Sequence, residues 1–154
     1  MDGTDFRINE PTPFDRKWYS HKFNGPGVCY EISIRIATGH IVWVNGPFCC
    51  GRWPDIKIAE KHLVKHLDRH ERVIADSGYR NGGHFITPTG HNNLQEHEHS
   101  VIRARHETVN GQFKNWNILK KVFRHNVRKH GPVFWAVANI TQLELTTTNP
   151  VFQL

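Results

Sequence analysis

Apolar and polar residues alternate from Cys29 to Ala37, with Tyr30, Ile32, Ile34 and Ile36 on one side, and His40 to Val44 follows across Thr38-Gly39. A period of two belongs to half-buried strands, and two such runs about a short turn predict a β-hairpin. Thr4 to Ile8 is rich in β-formers and stops before Pro11 and Pro13, so it reads as an earlier strand. After the turn-rich stretch from Asn45 to Pro54 the period changes, because Ile56, Ala59, Leu63 and Leu67 recur at helical spacing. Arg72 to Ala75 makes a brief apolar strand ending at Asp76-Ser77-Gly78, and His84 to Thr87 reads as another, stopped by Pro88. A polar loop is expected from Thr89 to about His99.

Two helices are expected to close the chain, roughly Val101 to Phe123 and Pro132 to Leu145. On a wheel of about 100° per residue, Val101, Ile102, Val109, Phe113, Trp116, Leu119 and Phe123 share one side of the first. Arg103, Glu107, Asn110, Lys114 and Lys121 share the other, which places one carboxylate in a basic stripe. The plain alternative is a solvated face with an Arg103–Glu107 pair worth a few tenths of a kcal/mol. In the second helix Pro132 suits the first turn. Its many apolar residues, among them Phe134, Trp135, Ile140 and Leu143, leave little polar surface, so burial is expected.

Composition narrows the classes. A chain of 154 residues is the length of one ordinary domain, and residues 1–154 show no repeat or linker that would divide it. No apolar run approaches the roughly 18 residues of a membrane span. The start lacks the basic and apolar regions of a secretory leader. Three cysteines, two of them adjacent at Cys49 and Cys50, make a poor disulfide framework and suit an intracellular, reducing compartment. The formal charge of +6 suits a polyanionic partner, although many soluble domains are as basic.

The expected order is three strands, a helix, two short strands and two helices, the succession of ribonuclease H-like folds. The acids fall at telling places in it: Asp2 opens the first strand, Asp76 ends the fourth, and Glu107 lies on the helix after the fifth. Asp2-Gly3-Thr4, Ala75-Asp76-Ser77-Gly78-Tyr79 with Thr87-Pro88 behind it, and Arg103-Ala104-Arg105-His106-Glu107 with Phe113-Lys114 after it form three ordered blocks. These blocks resemble the signature of Harbinger-like and related DDE transposases, the DDE superfamily endonucleases.

The resemblance implies an α/β, ribonuclease H-like fold with a mixed five-stranded sheet flanked by helices. It implies a catalytic and metal-binding triad of Asp2, Asp76 and Glu107 holding two Mg²⁺ ions, for which Mn²⁺ can substitute, and it makes DNA the substrate. Arg103, Arg105, Lys114, Lys120, Lys121 and Arg124, with Arg128, would contact phosphates without reading bases. By the same resemblance the N-terminus looks truncated, since relatives carry apolar residues before the first Asp and usually a DNA-binding region such as a helix-turn-helix. Sequence recognition would then fall to a missing domain, a homodimer or a separate DNA-binding partner, in the nucleus if the host is eukaryotic. The alternative to an enzyme is a catalytically silent DNA- or protein-binding module of the same fold.

Other groups compete for these roles. Asp5, on the opposite strand face from Asp2, ranks second for the first metal position. Asp55, after Gly51-Arg52-Trp53-Pro54, reads as a helix N-cap. Glu96-His97-Glu98-His99, with His91 and His106 nearby, fits a solvated loop better than a closed zinc site. Cys29, Cys49 and Cys50 read as structural.

Overall fold

The computed structural model describes residues 1–80, 83–88 and 93–147. Its elements are β1 (Asp2–Arg7), β2 (Tyr19–Ser20), β3 (Gly25–Ile34), β4 (Ile41–Cys49), α1 (Asp55–Lys61), β5 (Val73–Ile74), β6 (Phe85–Ile86), α2 (Asn93–Asn115), α3 (Asn117–Lys120) and α4 (His130–Thr147), with short 3₁₀ turns between them. The arrangement is mixed α/β, with antiparallel and parallel pairing.

β3 is the strand on which the others assemble. β1 lies antiparallel to it from Asp2↔Ile32 to Arg7↔Gly27, β4 antiparallel from Ile34↔Ile41 to Val28↔Cys49, and β2 pairs with Gly25 and Pro26. The expected hairpin is present, but its first strand is shifted toward the N-terminus and ends at Ile34, leaving Ile36 outside it and exposed, and its second is longer than alternation indicates. β4 runs on through Asn45-Gly46-Pro47, residues that read locally as a turn. The reason is tertiary: Gly46 has φ +136° beside a register shift between Cys29 and Glu31, and a Cβ there would stand 2.7 Å from the Tyr30 ring. Glycine thus serves a bulge inside the strand rather than a chain reversal.

β5 and β6 pair parallel as a separate two-stranded sheet. Among the described residues the strands therefore form a four-stranded and a two-stranded sheet, not the single five-stranded sheet expected. One bond links them, from the Met1 amino group to the Ile74 carbonyl at 2.7 Å. That bond sets β5 beside the start of β1. At the other end of β1, Phe123 N–H donates to the Arg7 carbonyl at 2.9 Å, leaving a gap along the strand's free edge between these two neighbours.

The helices depart from expectation at their ends and faces. α2 starts at Asn93, so residues 93–99, expected in a polar loop, are helical, while 89–92 of that stretch lie outside the described residues. It stops at Asn115 because Trp116 is extended (φ −81°, ψ 115°), which redirects the chain so that Phe123 can pair along β1. Lys120, Lys121 and Phe123 are thus not on the helix that carries Glu107. α4 buries Phe134, Val137, Ala138, Thr141 and Leu145 but exposes Trp135, Ile140 and Leu143, the last by 61 %. Full burial of this helix is corrected: it covers the core with one face only. Val101, expected inside, is likewise exposed.

Two apolar clusters result. The larger joins β1, β3, α2 and α4, where Tyr30 stacks on Phe134 at 3.7 Å between ring centroids and Phe134 on Phe113 at 5.1 Å. The smaller gathers Met1, Ala59, Leu63, Ala75 and Tyr79 beneath α1 and β5.

Candidate active site

Asp2 is the first residue of β1, held in register against Ile32, and its Oδ1 accepts the Gly3 N–H at 2.8 Å. Asp76 follows β5 and caps the turn Ser77–Tyr79 by accepting the Gly78 N–H at 2.8 Å. Glu107 is exposed on α2. These three acids, far apart in sequence, line one cavity of about 50 Å³ together with Met1, Ile74, Ala75, Ile102, Arg103 and His106. Such a void has room for about one or two water-sized species.

Electrostatics agree with this proximity. Burial raises the Asp2 carboxyl above its ordinary range and the Asp76 charge adds to the rise, against Lys22, the Gly3 N–H and the terminal ammonium. The Met1 amino group is pushed down to about 6 by burial, although Asp2, Glu31 and Asp76 oppose the change. Glu107 is not tied up in the alternative salt bridge with Arg103: among the described residues the ion pairs are Lys17–Asp15 and Lys22–Asp5.

A fourth acid lies close by. Asp55 is the first residue of α1, and Pro54, not Asp55, occupies the N-cap position, so the expected capping role is corrected. Its carboxylate rests on Gly3, where a Cβ would come within 2.6 Å of it. A side chain at that position would displace the Asp55 carboxylate, a contact that the Asp-Gly pair alone does not reveal. Burial raises the Asp55 carboxyl, with Lys22 opposing and Asp5, Asp2 and Asp76 adding to the rise.

Lys22, which no motif singled out, is a further cation of this region. Its ammonium donates to the Gly3 carbonyl at 2.6 Å and stands 3.7 Å from Asp5, whose other oxygen accepts from the Ser20 hydroxyl. Burial pulls the ammonium down, but Asp5, Asp55 and Asp2 together raise it above its ordinary value. Asp5 does not line the cavity with the other three acids. Beneath α1, Glu31 accepts from Trp43 Nε1 at 2.8 Å and is pushed up to about 6, mainly by burial.

His106 fixes α2 to the sheet. Its Nε2 donates to the Ile32 carbonyl at 3.0 Å, so Nδ1 is left to accept from the Asn110 amide at 3.1 Å. Burial pushes this imidazole down to about 4, which keeps it neutral in that role.

The basic residues are dispersed. Arg103 lines the acid cavity, Arg105 donates to the Ile36 carbonyl at 2.8 Å, and Lys114 lines a groove beside β1. Lys120, Lys121 and Arg124 border another groove of about 730 Å³ that also includes Arg7, and Arg128 lies in the turn before α4.

Carboxylate oxygens are the hard donors that Mg²⁺ and Mn²⁺ prefer, and the raised Asp2 carboxyl marks an excess of negative charge that a cation would relieve. The donor set therefore fits a divalent ion. In the present side-chain positions, however, no three His, Cys, Asp or Glu among the described residues stand close enough to grip one. Binding requires the carboxylates to turn inward. His97 and Glu98 are exposed on α2 rather than in a loop.

The family model described as DDE superfamily endonuclease matches residues 1–142. No curated protein and no solved structure matches the chain. Among the described residues no helix is long and apolar enough to cross a membrane. With a match over nearly its whole length, and acids from β1, the end of β5 and α2 around one cavity, the chain belongs to the DDE superfamily endonucleases.

Proposed function

We propose that Asp2, Asp76 and Glu107 hold a pair of Mg²⁺ ions, with Mn²⁺ able to substitute, and that the chain cuts or transfers phosphodiester bonds in DNA as the catalytic part of a Harbinger-like transposase. The observation that carries this is the shared cavity of the three acids. When bound, the ions supply charge relief at the phosphate and an activated oxygen nucleophile. The chain's part is to aim its carboxylates: β1 fixes Asp2 against β3, the turn after β5 presents Asp76, and the His106–Ile32 bond holds the turn of α2 that carries Glu107. The strand succession β4-β3-β1, with β5 set beside β1 by the Met1 bond and β6 next to it, supports a ribonuclease H-like arrangement. Arg103 beside the acids, and Lys120, Lys121 and Arg124 in the groove below β1, suit phosphate contacts.

The test is plasmid nicking in Mg²⁺ and in Mn²⁺ with a chelator control, at matched amounts of folded protein. Glu107→Gln and Asp76→Asn each remove an anionic ligand without altering packing, and each should drop nicking to background. Glu98→Gln, on the exposed face of α2, should nick as the parent does. Equal nicking by Glu107→Gln and the parent would sink the triad. The second reading, a silent DNA-binding module, is favoured by the spread of the carboxylates; it predicts no nicking and an identical melting temperature with and without metal.

A further inference from the structure

A groove of about 460 Å³ leaves the acid cavity along the free edge of β1. Asp2 and Glu107 belong to both. One wall is Lys22, on the turn between β2 and β3. The other is a stripe of α2 in which Glu107, Asn110, Gly111 and Lys114 follow at i, i+3, i+4 and i+7, the spacing of one helical face.

Gly111 is the informative residue. Apart from proline, glycine is the poorest helix former, so a glycine inside a helix calls for a neighbour that leaves no room for a side chain. Gly27 and Gly46 have such neighbours, with Phe23 and Tyr30 at 2.5 and 2.7 Å from where a Cβ would stand and backbone oxygens behind them. At Gly111 nothing lies within 4 Å. The fold does not require this glycine, and its effect is to leave bare helix backbone facing the groove, a surface that something outside the chain can approach closely.

Asn110 points the same way. It is 8 % exposed, and the chain Ile32 carbonyl, His106 and Asn110 fixes its amide so that the NH₂ group faces His106. Its Oδ1 is left buried with no hydrogen-bond partner. A buried acceptor of this kind is completed by a donor from a ligand or water. The two lysines add the opposite chemistry: Lys22 has three N–H groups, one given to the Gly3 carbonyl, with its charge facing Asp5 of the same groove at 3.7 Å, and Lys114 is exposed on the far wall.

We propose, building on the nuclease assignment above, that this groove is the track of one DNA strand beside the cut site. The sugar–phosphate backbone passes against α2 at Gly111. Lys22 and Lys114 take phosphates from the two walls, and Asn110 Oδ1 accepts from a water held between the helix and the strand. Lys22, absent from the basic set legible in the sequence, becomes a DNA-positioning residue, and the track reads backbone rather than base order.

Binding of a labelled oligonucleotide, followed by fluorescence anisotropy in chelator, tests the track separately from cutting. Gly111→Leu fills the groove with a good helix former. It should melt at or above the parent's temperature yet bind DNA about tenfold or more weakly, whereas Gly111→Ala should combine a raised melting temperature with a smaller loss. Ala136→Leu, a similar addition on the exposed side of α4, should bind as the parent does. Lys22→Gln and Lys114→Gln should each flatten the slope of log affinity against log salt by about 0.7 to 0.9. Parent-like affinity in well-folded Gly111→Leu overturns the track, and if that variant fails to fold, unchanged salt slopes in both lysine variants overturn it instead. Glu107-dependent nicking together with full activity of Gly111→Leu defeats the track alone. Groove-dependent binding by a parent that never nicks defeats the nuclease assignment alone.

Discussion

The two apolar clusters differ in what they can hold in place. β1, β3, α2 and α4 enclose stacked rings of Tyr30, Phe113 and Phe134, all fully buried. α1, β5 and β6 gather around Met1, Ala59, Leu63, Ala75 and Tyr79, and both strands there have two residues. Asp2 and Glu107 extend from elements anchored in the first cluster, whereas Asp76 hangs from the end of β5 in the second. Stability is not uniform across a fold, and segments with few buried contacts open first. Under the proposed function the triad joins two well-anchored acids to one on a lighter support, and ion binding is expected to draw the third toward the other two.

The largest effect that tests this contrast is loss of a ring from the first cluster. Phe113→Ala should cost about 3 to 5 kcal/mol and unfold the whole protein, so that circular dichroism and nicking disappear together in a urea titration. Leu63→Ala should fall toward the lower end of about 2 to 5 kcal/mol, with amide exchange in β5 accelerating before that in β3. If both variants lose all structure in a single transition at the same exchange rates, the two regions are one cooperative unit and the contrast fails.

Metal binding should sharpen it. An ion that binds only the folded state adds about 2.7 kcal/mol when present at about a hundred times its dissociation constant. Mn²⁺ should therefore raise the melting temperature of the parent and slow exchange most strongly around Asp76. Asp76→Asn should lose the thermal shift, and a shift retained in full would mean that ions bind elsewhere.

The smallest predicted effect concerns pH. Glu31 is 2 % exposed and its carboxyl stands at about 6 against an ordinary 4.5, chiefly through burial. Because the fold binds this proton more tightly than the unfolded chain, the associated stability is complete below about 4.5 and is lost as pH rises through about 6. At pH 7 the ionised group thus weakens the fold by about 2 kcal/mol. Glu31→Gln keeps an acceptor for Trp43 and should be more stable than the parent by about that amount at pH 7, with the difference vanishing near pH 4. Asp2 and Asp55 shift in the same direction, whereas His106 and His130, both pushed down to about 4 by burial, add stability as pH rises from about 4 to 6.5, so the measured quantity is the difference between Glu31→Gln and the parent at each pH. Urea titrations at the two pH values measure this, and an equal advantage at both would show that charge burial at Glu31 is not the cause.

Periodicity by itself determined the hairpin, the first strand, the short strands on either side of the Asp76 turn and the two long helical regions. Alternation and helical spacing are local patterns that packing here left in force. The order of the acids along the elements and the three signature blocks were also legible, because each depends on neighbours in sequence. Only the tertiary structure decided the rest. β4 continues through Gly46 because Tyr30, from another strand, occupies the space of a Cβ, and α2 breaks at Trp116 because Phe123 pairs along β1. Asp55 leaves the cap to Pro54 and lies on Gly3, and Lys22 reaches the same glycine from a hairpin too short to show a pattern. The meeting of Asp2, Asp76 and Glu107 at one cavity and the empty space over Gly111 belong to the same class. Each is set by groups distant in sequence, which local propensity and period do not encode.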